Sequence, residues 1–310
     1  MLGQEALALR AEKLGFATLW FRDVPLRVPS FGDVGQVFDT FTYLSWIAAH
    51  TRDVALATGA VVLPLRHPLH TAKQAASVDQ LSGGRLALGI ASGDRPEEFP
   101  AFGVALDERG ESFRENLTVM RAALQTAFPR FTSPRYGTLD GGVDVVPKPL
   151  HGRLPLLAVG ASGQDAAWLA ANVDACIGYP RSAAEQAAHV ASWRAACNAA
   201  GLGSKPFGQS LYVDLGDRAD EPFTPIHLGF RCGRDFLLAF LETLERAGVA
   251  HVALNLKYGR RPARETIEEI GEHVVPRFAH HGSTATPLAG PHEDLCAVPS
   301  RSIEAKEKNT

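Results

Sequence analysis

Residues 58–64 read TGAVVLP, and after Pro68 comes a segment that closes as LSGGR at residues 81–85 and continues into the apolar run Leu86–Ala91. Short continuous apolar runs are typical of strands that are buried on both faces. The segment between them is predicted to be a helix, because Pro68 suits a first helical position and the Gly83-Gly84 pair supplies the positive φ of a helix end. Two strands joined by a covering helix make a crossover unit, so we predict a parallel sheet.

The alternation of strands and helices continues along the chain. Strands are predicted at residues 17–21, 54–63, 86–91, 154–159, 174–178, 208–215 and 249–256, with helices between them. Strict alternation indicates a parallel α/β fold, either a (β/α)8 barrel or an open doubly wound sheet. The open sheet is disfavoured because no Gly-x-Gly-x-x-Gly turn follows an early strand. The stretches 128–153 and 216–230 show no period and are predicted to be irregular.

Composition and charge exclude several classes of protein. A chain of 310 residues with a net charge of −3 is long enough for one α/β barrel and has no basic block for nucleic acid or an anionic membrane surface. No apolar stretch approaches the length of a membrane span. The four cysteines are far apart and form neither a zinc-binding pair nor a disulfide framework, so we expect a cytoplasmic protein without a metal site.

The motifs of the first unit also resemble a known family. TGAVVLP, His67-Pro68, LSGGRL and the strand end Gly89–Gly93 are similar to the signature of the bacterial-luciferase-like flavin monooxygenases, and the resemblance extends over most of residues 1–278. It implies a luciferase-type (β/α)8 TIM barrel that takes reduced FMN from a separate flavin reductase and uses O2 to oxidise a small organic substrate. Hydride transfer with the deazaflavin F420 is the alternative, since other members of the superfamily use that cofactor.

The resemblance also bears on the domain organisation. A barrel has eight strands, whereas this sequence predicts seven and begins with a helix over residues 2–14, where the family has a strand. We therefore expect a barrel over residues 1–280 that lacks its first strand, with an open gap beside strand 17–21 that an upstream strand would close. Residues 281–310 lack periodicity and are predicted to be a disordered tail. A homodimer is compatible with this organisation.

A candidate anion-binding turn lies between strand 154–159 and the next predicted helix, 164–172. It reads Gly160-Ala161-Ser162-Gly163-Gln164, and small residues before a helix let backbone N–H groups approach an anion closely. The alternative is an ordinary turn in which Ser162 caps the helix. The resemblance implies the first interpretation, with the flavin phosphate bound here and with Ser162 and Gly163 as its main contacts.

Three further sites acquire a cofactor role from the resemblance. Thr58-Gly59-Ala60 would form the floor under the flavin ring, with a cis peptide bond at Gly59-Ala60, although the residues alone are compatible with a plain buried strand. Ser92 stands where bacterial luciferase has an arginine that helps to bind phosphate, so another cation is expected to assist. Tyr179 matches an aromatic position that borders the isoalloxazine, although aromatic residues at strand ends are also common in cores. The candidate cations on loops are Arg95, Arg231, Arg234, Arg260 and Arg261.

The loop after strand 17–21 departs from the family pattern. Many members have a catalytic histidine there, and this chain has Val24 and Pro25 instead. The remaining polar residues, Arg22 and Asp23, are the candidate catalytic residues, with an ion pair that closes the loop as the alternative. The departure keeps open a flavin-binding protein without turnover. The anion turn alone is also compatible with a barrel lyase or isomerase acting on a phosphorylated metabolite.

Overall fold

A computed structural model describes residues 3–31 and 38–278 of the chain. The helices are α1 (Gln4–Lys13), α2 (Thr40–His50), α3 (Pro68–Ser82), α4 (Glu98–Ala101), α5 (Arg109–Gln125), α6 (Ala166–Asn172), α7 (Ala183–Ala199), α8 (Arg234–Arg246) and α9 (Ala263–His273). The strands are β1 (Thr18–Phe21), β2 (Ala55–Thr58), β3 (Val61–Val62), β4 (Leu86–Ala91), β5 (Arg130–Ser133), β6 (Gly137–Asp140), β7 (Leu156–Val159), β8 (Ala175–Gly178), β9 (Phe207–Leu215), β10 (Thr224–Ile226), β11 (Gly229–Cys232) and β12 (His251–Asn255).

Parallel strands form the wall of the fold in the order β1, β2, β4, β7, β8, β9 and β12. Each adjacent pair is parallel, as in Thr18 beside Ala55 and Leu157 beside Ala175. Helices join successive strands and bury apolar side chains against them, so that Phe113 of α5 is inaccessible to solvent. The predicted parallel α/β fold is therefore confirmed, and the seven predicted strand positions all carry strands of this wall.

Small side chains fill much of the space inside the wall. Ala57, Ala87 and Ala175 are inaccessible to solvent and form one cluster with Leu157. Because alanine side chains are short, the cluster leaves room for the indole ring of Trp20, which packs against it. The inside of the wall is therefore packed where these side chains meet, as in other barrels.

The wall has an opening between its first and last strands. Within residues 3–31 and 38–278, β1 and β12 exchange no backbone hydrogen bond. A side-chain contact spans the opening, because Trp20 Nε1 donates to His251 Nε2 at 2.9 Å and so brings the two ends of the sheet together. Helices α1 and α9 also pack closely, since a Cβ added to Gly271 would lie 2.6 Å from the Cβ of Leu14. The open gap expected beside the first predicted strand is present.

The Trp20–His251 contact should make stability depend on pH. Burial lowers the pKa of His251 from 6.5 to about 4, so the native state keeps the ring neutral while the unfolded chain binds a proton below pH 6.5. This contribution to stability is complete above the unfolded pKa and is lost as the pH falls toward the folded pKa. We expect the free energy of unfolding to fall by about 2–3 kcal/mol over that interval, since one pKa unit corresponds to about 1.4 kcal/mol. Urea unfolding at a series of pH values measures the change.

The matched variant for this prediction is His251→Gln, which keeps a hydrogen-bond acceptor for Trp20 but does not titrate. Its free energy of unfolding should depend less steeply on pH than that of the unmodified protein between pH 6.5 and about 4. The same pH dependence in both proteins would show that His251 is not the titrating group.

Two segments that were predicted to be irregular contain hairpins. β5 pairs with β6 in antiparallel fashion, and β10 pairs with β11, which in addition joins β9 in parallel. The prediction was wrong because these short strands are largely exposed and show no apolar alternation. The predicted strand 54–63 is likewise divided, into β2 and β3 followed by a 3₁₀ helix over Leu63–Leu65.

Two expectations concern the chain as a whole. No helix in the described part of the chain is both long and apolar enough to cross a membrane. The predicted tail, residues 281–310, lies outside the described residues, and so does the end of the predicted 1–280 barrel domain after residue 278.

Candidate active site

A cavity of about 2240 Å³ lies at the carboxyl ends of the parallel strands and continues along the opening between β1 and β12. The carboxyl end is where α/β barrels place their sites. The fold brings most of the predicted site residues to the wall of this one cavity: Arg22, Asp23, Gly59, Ala60, Ser92, Gly160, Ala161, Ser162, Gly163 and Tyr179. Thr58 and Gln164 are outside the wall.

The turn between β7 and α6 presents backbone N–H groups to this cavity. Gly160, Ser162 and Gly163 have positive φ values of 70°, 51° and 72°. Within the described ranges, the N–H groups of Ala161, Ser162 and Gly163 donate to no acceptor. Successive N–H groups in such a turn form a concavity that binds anions. The turn therefore has the donors that a phosphate requires.

The helix after this turn differs from the prediction. α6 begins two residues later than predicted, and its N-cap is Asp165, whose side chain accepts a hydrogen bond from the N–H of Trp168 at 2.7 Å. Ser162 therefore does not cap the helix. Instead its Oγ accepts from the N–H of Ser92 at 3.2 Å, which ties the end of β7 to the end of β4. The turn is thus positioned by a neighbouring strand.

Gln164 supports the turn from behind. Its Nε2 donates to the carbonyl groups of Gly110 and Ser162, each at 2.9 Å, and its Oε1 accepts from Arg114. All polar atoms of this buried side chain are engaged, and it does not line the cavity. The predicted role of Gln164 as a direct cofactor contact is therefore corrected to that of a link between the turn and α5.

The same link brings Arg109, the first residue of α5, to the turn. Arg109 lines the cavity with Ser162 and Gly163, and its Nη1 donates to the carbonyl of Leu106 at 2.9 Å. No carboxylate in the described part of the chain pairs with it. The five arginines suggested by the sequence are all paired: Arg95 with Glu98, Arg231 and Arg260 with Asp214, and Arg234 and Arg261 with Glu269. Arg109 precedes Gly110, which packs against Gly163, so it is the candidate cation for this turn that the sequence analysis missed.

The floor of the cavity lies where the predicted strand 54–63 divides into β2 and β3. The peptide bond between Gly59 and Ala60 is cis, as the resemblance implied, and both residues line the cavity. Thr58 is fully buried behind them, and its Oγ1 donates to the carbonyl of Gly89 at 2.7 Å. A Cβ on Gly89 would lie 1.8 Å from the Thr58 carbonyl oxygen, so only glycine allows this approach. Thr58 supports the floor and, contrary to the prediction, does not face the cavity.

A turn with open N–H groups and a floor of small residues line one barrel cavity. This arrangement agrees with the family that the sequence matches. The sequence model of the luciferase-like monooxygenases matches residues 3–287. The chain belongs to the luciferase-like monooxygenase family.

Individual relatives of this luciferase-like protein have low sequence identity or match only part of the chain. An uncharacterized protein of Sinorhizobium fredii is 32% identical over 118 residues, which are 38% of this chain and 32% of that protein. The match thus spans about a third of that relative's length. An F420-dependent secondary alcohol dehydrogenase in complex with an F420-acetone adduct has the same fold, with a TM-score of 0.75, 18% identity and coverage of 89% of this chain and 94% of that chain.

A second solved structure has the same fold with a different cofactor. The oxygenating constituent of 3,6-diketocamphane monooxygenase from Pseudomonas putida, in complex with FMN, has a TM-score of 0.69 and 15% identity and covers 88% of this chain and 91% of that chain. Of these two solved structures, one contains an F420 adduct and the other contains FMN. At these identities the likeness establishes the fold alone.

In this luciferase-like protein the loop after β1 holds a buried ion pair. Asp23 accepts hydrogen bonds from Arg66 Nε at 2.9 Å and Nη2 at 2.7 Å, from the N–H of Val62 at 3.2 Å and from Thr40 Oγ1 at 3.1 Å. Four donors occupy one buried carboxylate, which leaves no free position for proton transfer. The predicted catalytic role of Asp23 is therefore corrected to a structural one. An ion pair does hold the loop, with Arg66 as the partner, while Arg22 lines the cavity.

Glu98 is a buried carboxyl group of the cavity that the sequence analysis did not select. Its side chain is 2% exposed, lies 3.6 Å from Arg95 Nη1 and accepts from the N–H of Leu26 at 3.4 Å. Burial raises the pKa of Glu98, and repulsion from Asp23 and Asp94 adds to the rise. No local sequence pattern distinguishes Glu98 from the glutamate that precedes it, because the side chain of Glu98 becomes buried only through the fold.

The mouth of the cavity is aromatic. Tyr179 follows β8 as predicted and is 51% exposed, and partial burial, together with the nearby Asp94 carboxylate, raises the pKa of its hydroxyl. Three more rings line the mouth: Tyr212, His227 and Tyr258. Residues 3–31 and 38–278 contain no group of three or more histidine, cysteine or acidic side chains that could hold a metal ion.

Proposed function

We propose that this luciferase-like protein is a flavin-dependent monooxygenase that uses reduced FMN and O2 to oxidise a small organic substrate. The observation that carries the proposal is that the turn with its open N–H groups at residues 161–163, Arg109 and the Gly59-Ala60 floor all line one cavity. FMN carries a phosphate on a ribityl chain attached to a flat ring system, and the turn and the floor of small residues suit the phosphate and the ring, respectively. Family membership favours this chemistry over a lyase or isomerase.

The residues of the cavity divide the task. The turn and Arg109 would hold the phosphate of FMN, and Gly59 and Ala60 would lie beneath the ring because neither has a side chain larger than a methyl group. Reduced FMN supplies two electrons, with which one atom of O2 enters the substrate while the other leaves as water.

Glu98 is proposed to hold a proton in the site. Because its pKa is raised, its carboxyl group stays protonated at a higher pH than an exposed glutamate does. The Leu26 amide and Arg95 hold the carboxyl group in place; both favour its ionised form and so limit the rise in its pKa that burial causes. Glu98 therefore replaces Asp23, which the sequence analysis had selected, as the candidate catalytic carboxyl group.

F420 is the second candidate cofactor. It also joins a phosphate to a flat tricyclic ring, and one of the solved structures with this fold contains it. In that case the protein would transfer hydride between F420 and its substrate and would not need O2. The catalytic histidine that the family resemblance implied cannot decide between FMN and F420 in this protein, because Val24 and Pro25 occupy that part of the loop.

The proposed setting follows from the same reasoning. Reduced FMN would come from a separate reductase, since the sequence shows no Gly-x-Gly-x-x-Gly fingerprint for NAD(P)H. A reducing cytoplasm would suit Cys176, Cys197 and Cys232, which are free thiols and buried. A homodimer is the assembly we would examine first.

Anaerobic titration tests the choice of cofactor. The protein is titrated with reduced FMN and, in a separate experiment, with F420, and binding is followed through cofactor fluorescence or absorbance. We expect reduced FMN to bind at least tenfold more tightly than F420. The reverse order would replace the monooxygenase by the F420-dependent oxidoreductase, and binding of neither cofactor would contradict both.

A further inference from the structure

Three rings from separate parts of the chain meet at the mouth of the cavity. Tyr212 belongs to β9, His227 lies between β10 and β11, and Tyr258 follows β12. The ring centroids of Tyr212 and Tyr258 are 5.2 Å apart, and the centroid of His227 lies 6.1 Å from that of Tyr212 and 6.2 Å from that of Tyr258. We call these three residues the aromatic wall.

The backbone places two members of the aromatic wall together. Tyr212 is paired with Asn255 of β12 and with Gly229 of β11, so both strands meet β9 at this residue. The N–H of Tyr212 also donates to the carbonyl of Leu228 at 3.1 Å. A Cβ on Gly229 would lie 1.8 Å from the Tyr212 carbonyl oxygen, so glycine is required for the hairpin to approach. The hairpin that carries His227 is thereby held beside Tyr212.

One buried carboxylate fixes both neighbouring segments. Asp214 is 2% exposed; its Oδ2 pairs with Arg231 of the hairpin at 3.0 Å, and its Oδ1 accepts from the N–H of Arg260 at 3.0 Å, in the loop that carries Tyr258. Arg231 also pairs with Glu221 at 2.8 Å. The aromatic wall is therefore assembled in advance by contacts that lie outside the cavity.

The polar atoms of the aromatic wall have no hydrogen-bond partner among the described residues. Within the described part of the chain, the hydroxyl groups of Tyr212 and Tyr258 and the ring nitrogens of His227 make no hydrogen bond. Rings held in fixed positions favour flat aromatic ligands, because offset or edge contacts between rings are worth more than the buried area alone. Unused hydroxyl and imidazole groups beside them suit a ligand with a polar substituent.

We infer that the substrate is a planar aromatic molecule with a hydroxyl or similar hydrogen-bonding substituent, which packs against the aromatic wall while its substituent binds the polar atoms of these residues. The inference rests on the proposed function and names the substrate class of that site. A saturated molecule of the same size would fill the same space without the ring contacts, so it would bind more weakly.

Two probes with the same carbon skeleton test the inference: 2-naphthol and decahydro-2-naphthol. Isothermal titration of the flavin-free protein should show at least tenfold tighter binding of 2-naphthol. Tyr258→Leu should weaken 2-naphthol binding at least fivefold, and Tyr258→Phe should weaken it less because the ring remains. Trp46→Leu, which removes an exposed ring outside the cavity, should have no effect.

Several results would overturn the inference. Equal affinity for the two probes, no binding of 2-naphthol, or unchanged affinity in Tyr258→Leu would show that the wall does not select aromatic ligands. A loss of reduced FMN binding in Tyr258→Leu as large as its loss of 2-naphthol binding would assign the wall to the cofactor. Failure of the unmodified protein to bind FMN would contradict the proposed function alone, because the probe titrations contain no flavin.

Discussion

Replacing Arg109 with glutamine should weaken the binding of reduced FMN by about ten- to a hundredfold while leaving the binding of reduced riboflavin unchanged. The two ligands share the ring system, and only FMN carries the phosphate. A hydrogen bond to a charged group contributes about 1.5–3 kcal/mol, which corresponds to a change in Kd of about ten- to a hundredfold. Arg109 lines the cavity beside Ser162 and Gly163 and has no carboxylate partner among the described residues. Anaerobic titration with both ligands measures the difference.

Arg260→Gln is the matched control for this prediction. Arg260 lies on another loop at the same end of the barrel, is 72% exposed and pairs with Asp214 at 3.2 Å. Its replacement should leave the affinity for FMN within about twofold. Unchanged FMN affinity in Arg109→Gln would place the phosphate elsewhere, and an equal loss of riboflavin binding would show that the variant damages the site in general.

Replacing Asp23 with asparagine should destabilise the protein by about 3 kcal/mol. The change leaves Arg66, whose side chain is 17% exposed, without the carboxylate that accepts two of its hydrogen bonds. Removing one partner of a buried ion pair typically costs about 3–5 kcal/mol, and the partial exposure of Arg66 places the effect at the lower end. Urea unfolding with an unchanged m-value measures the loss.

Asp220→Asn provides the comparison with an exposed pair. Asp220 contacts Arg218 at 2.9 Å, and their side chains are 70% and 71% exposed. Exposed pairs contribute at most about 1 kcal/mol, so this variant should remain close to the unmodified protein. If Asp23→Asn kept full stability and lost only turnover, Asp23 would be a catalytic residue and the structural role given to it here would be wrong.

The regular part of the fold could be predicted because its signals are local. Continuous apolar runs, Pro68 at a helix start and Gly83 at a helix end specify strands and helices without reference to the rest of the chain. The hairpins β5–β6 and β10–β11 escaped prediction because their short exposed strands have no apolar face. The hairpin of β10 and β11 is specified by contacts with β9 that are distant in sequence.

The sequence analysis selected most of the turn and floor residues that line the cavity but missed two of its charged side chains, Arg109 and Glu98. The turn at residues 160–163 and the Gly59-Ala60 floor are contiguous stretches of small residues, which the resemblance to the luciferase-like family singled out as cofactor sites. Arg109 and Glu98 lie in segments without a motif and reach the cavity through the packing of α5 and of the loop after β4. Asp23 was misjudged because its partner, Arg66, is 43 positions away.

The most direct test of the monooxygenase is rapid mixing of the complex of the protein and reduced FMN with O2. If the cavity binds reduced FMN as proposed, the protein should control the reaction of the bound flavin with O2. We expect the absorbance of oxidised FMN to return only after a resolved delay. A return in a single phase, at the rate of free reduced FMN, would contradict the proposal that this protein uses FMN to activate O2.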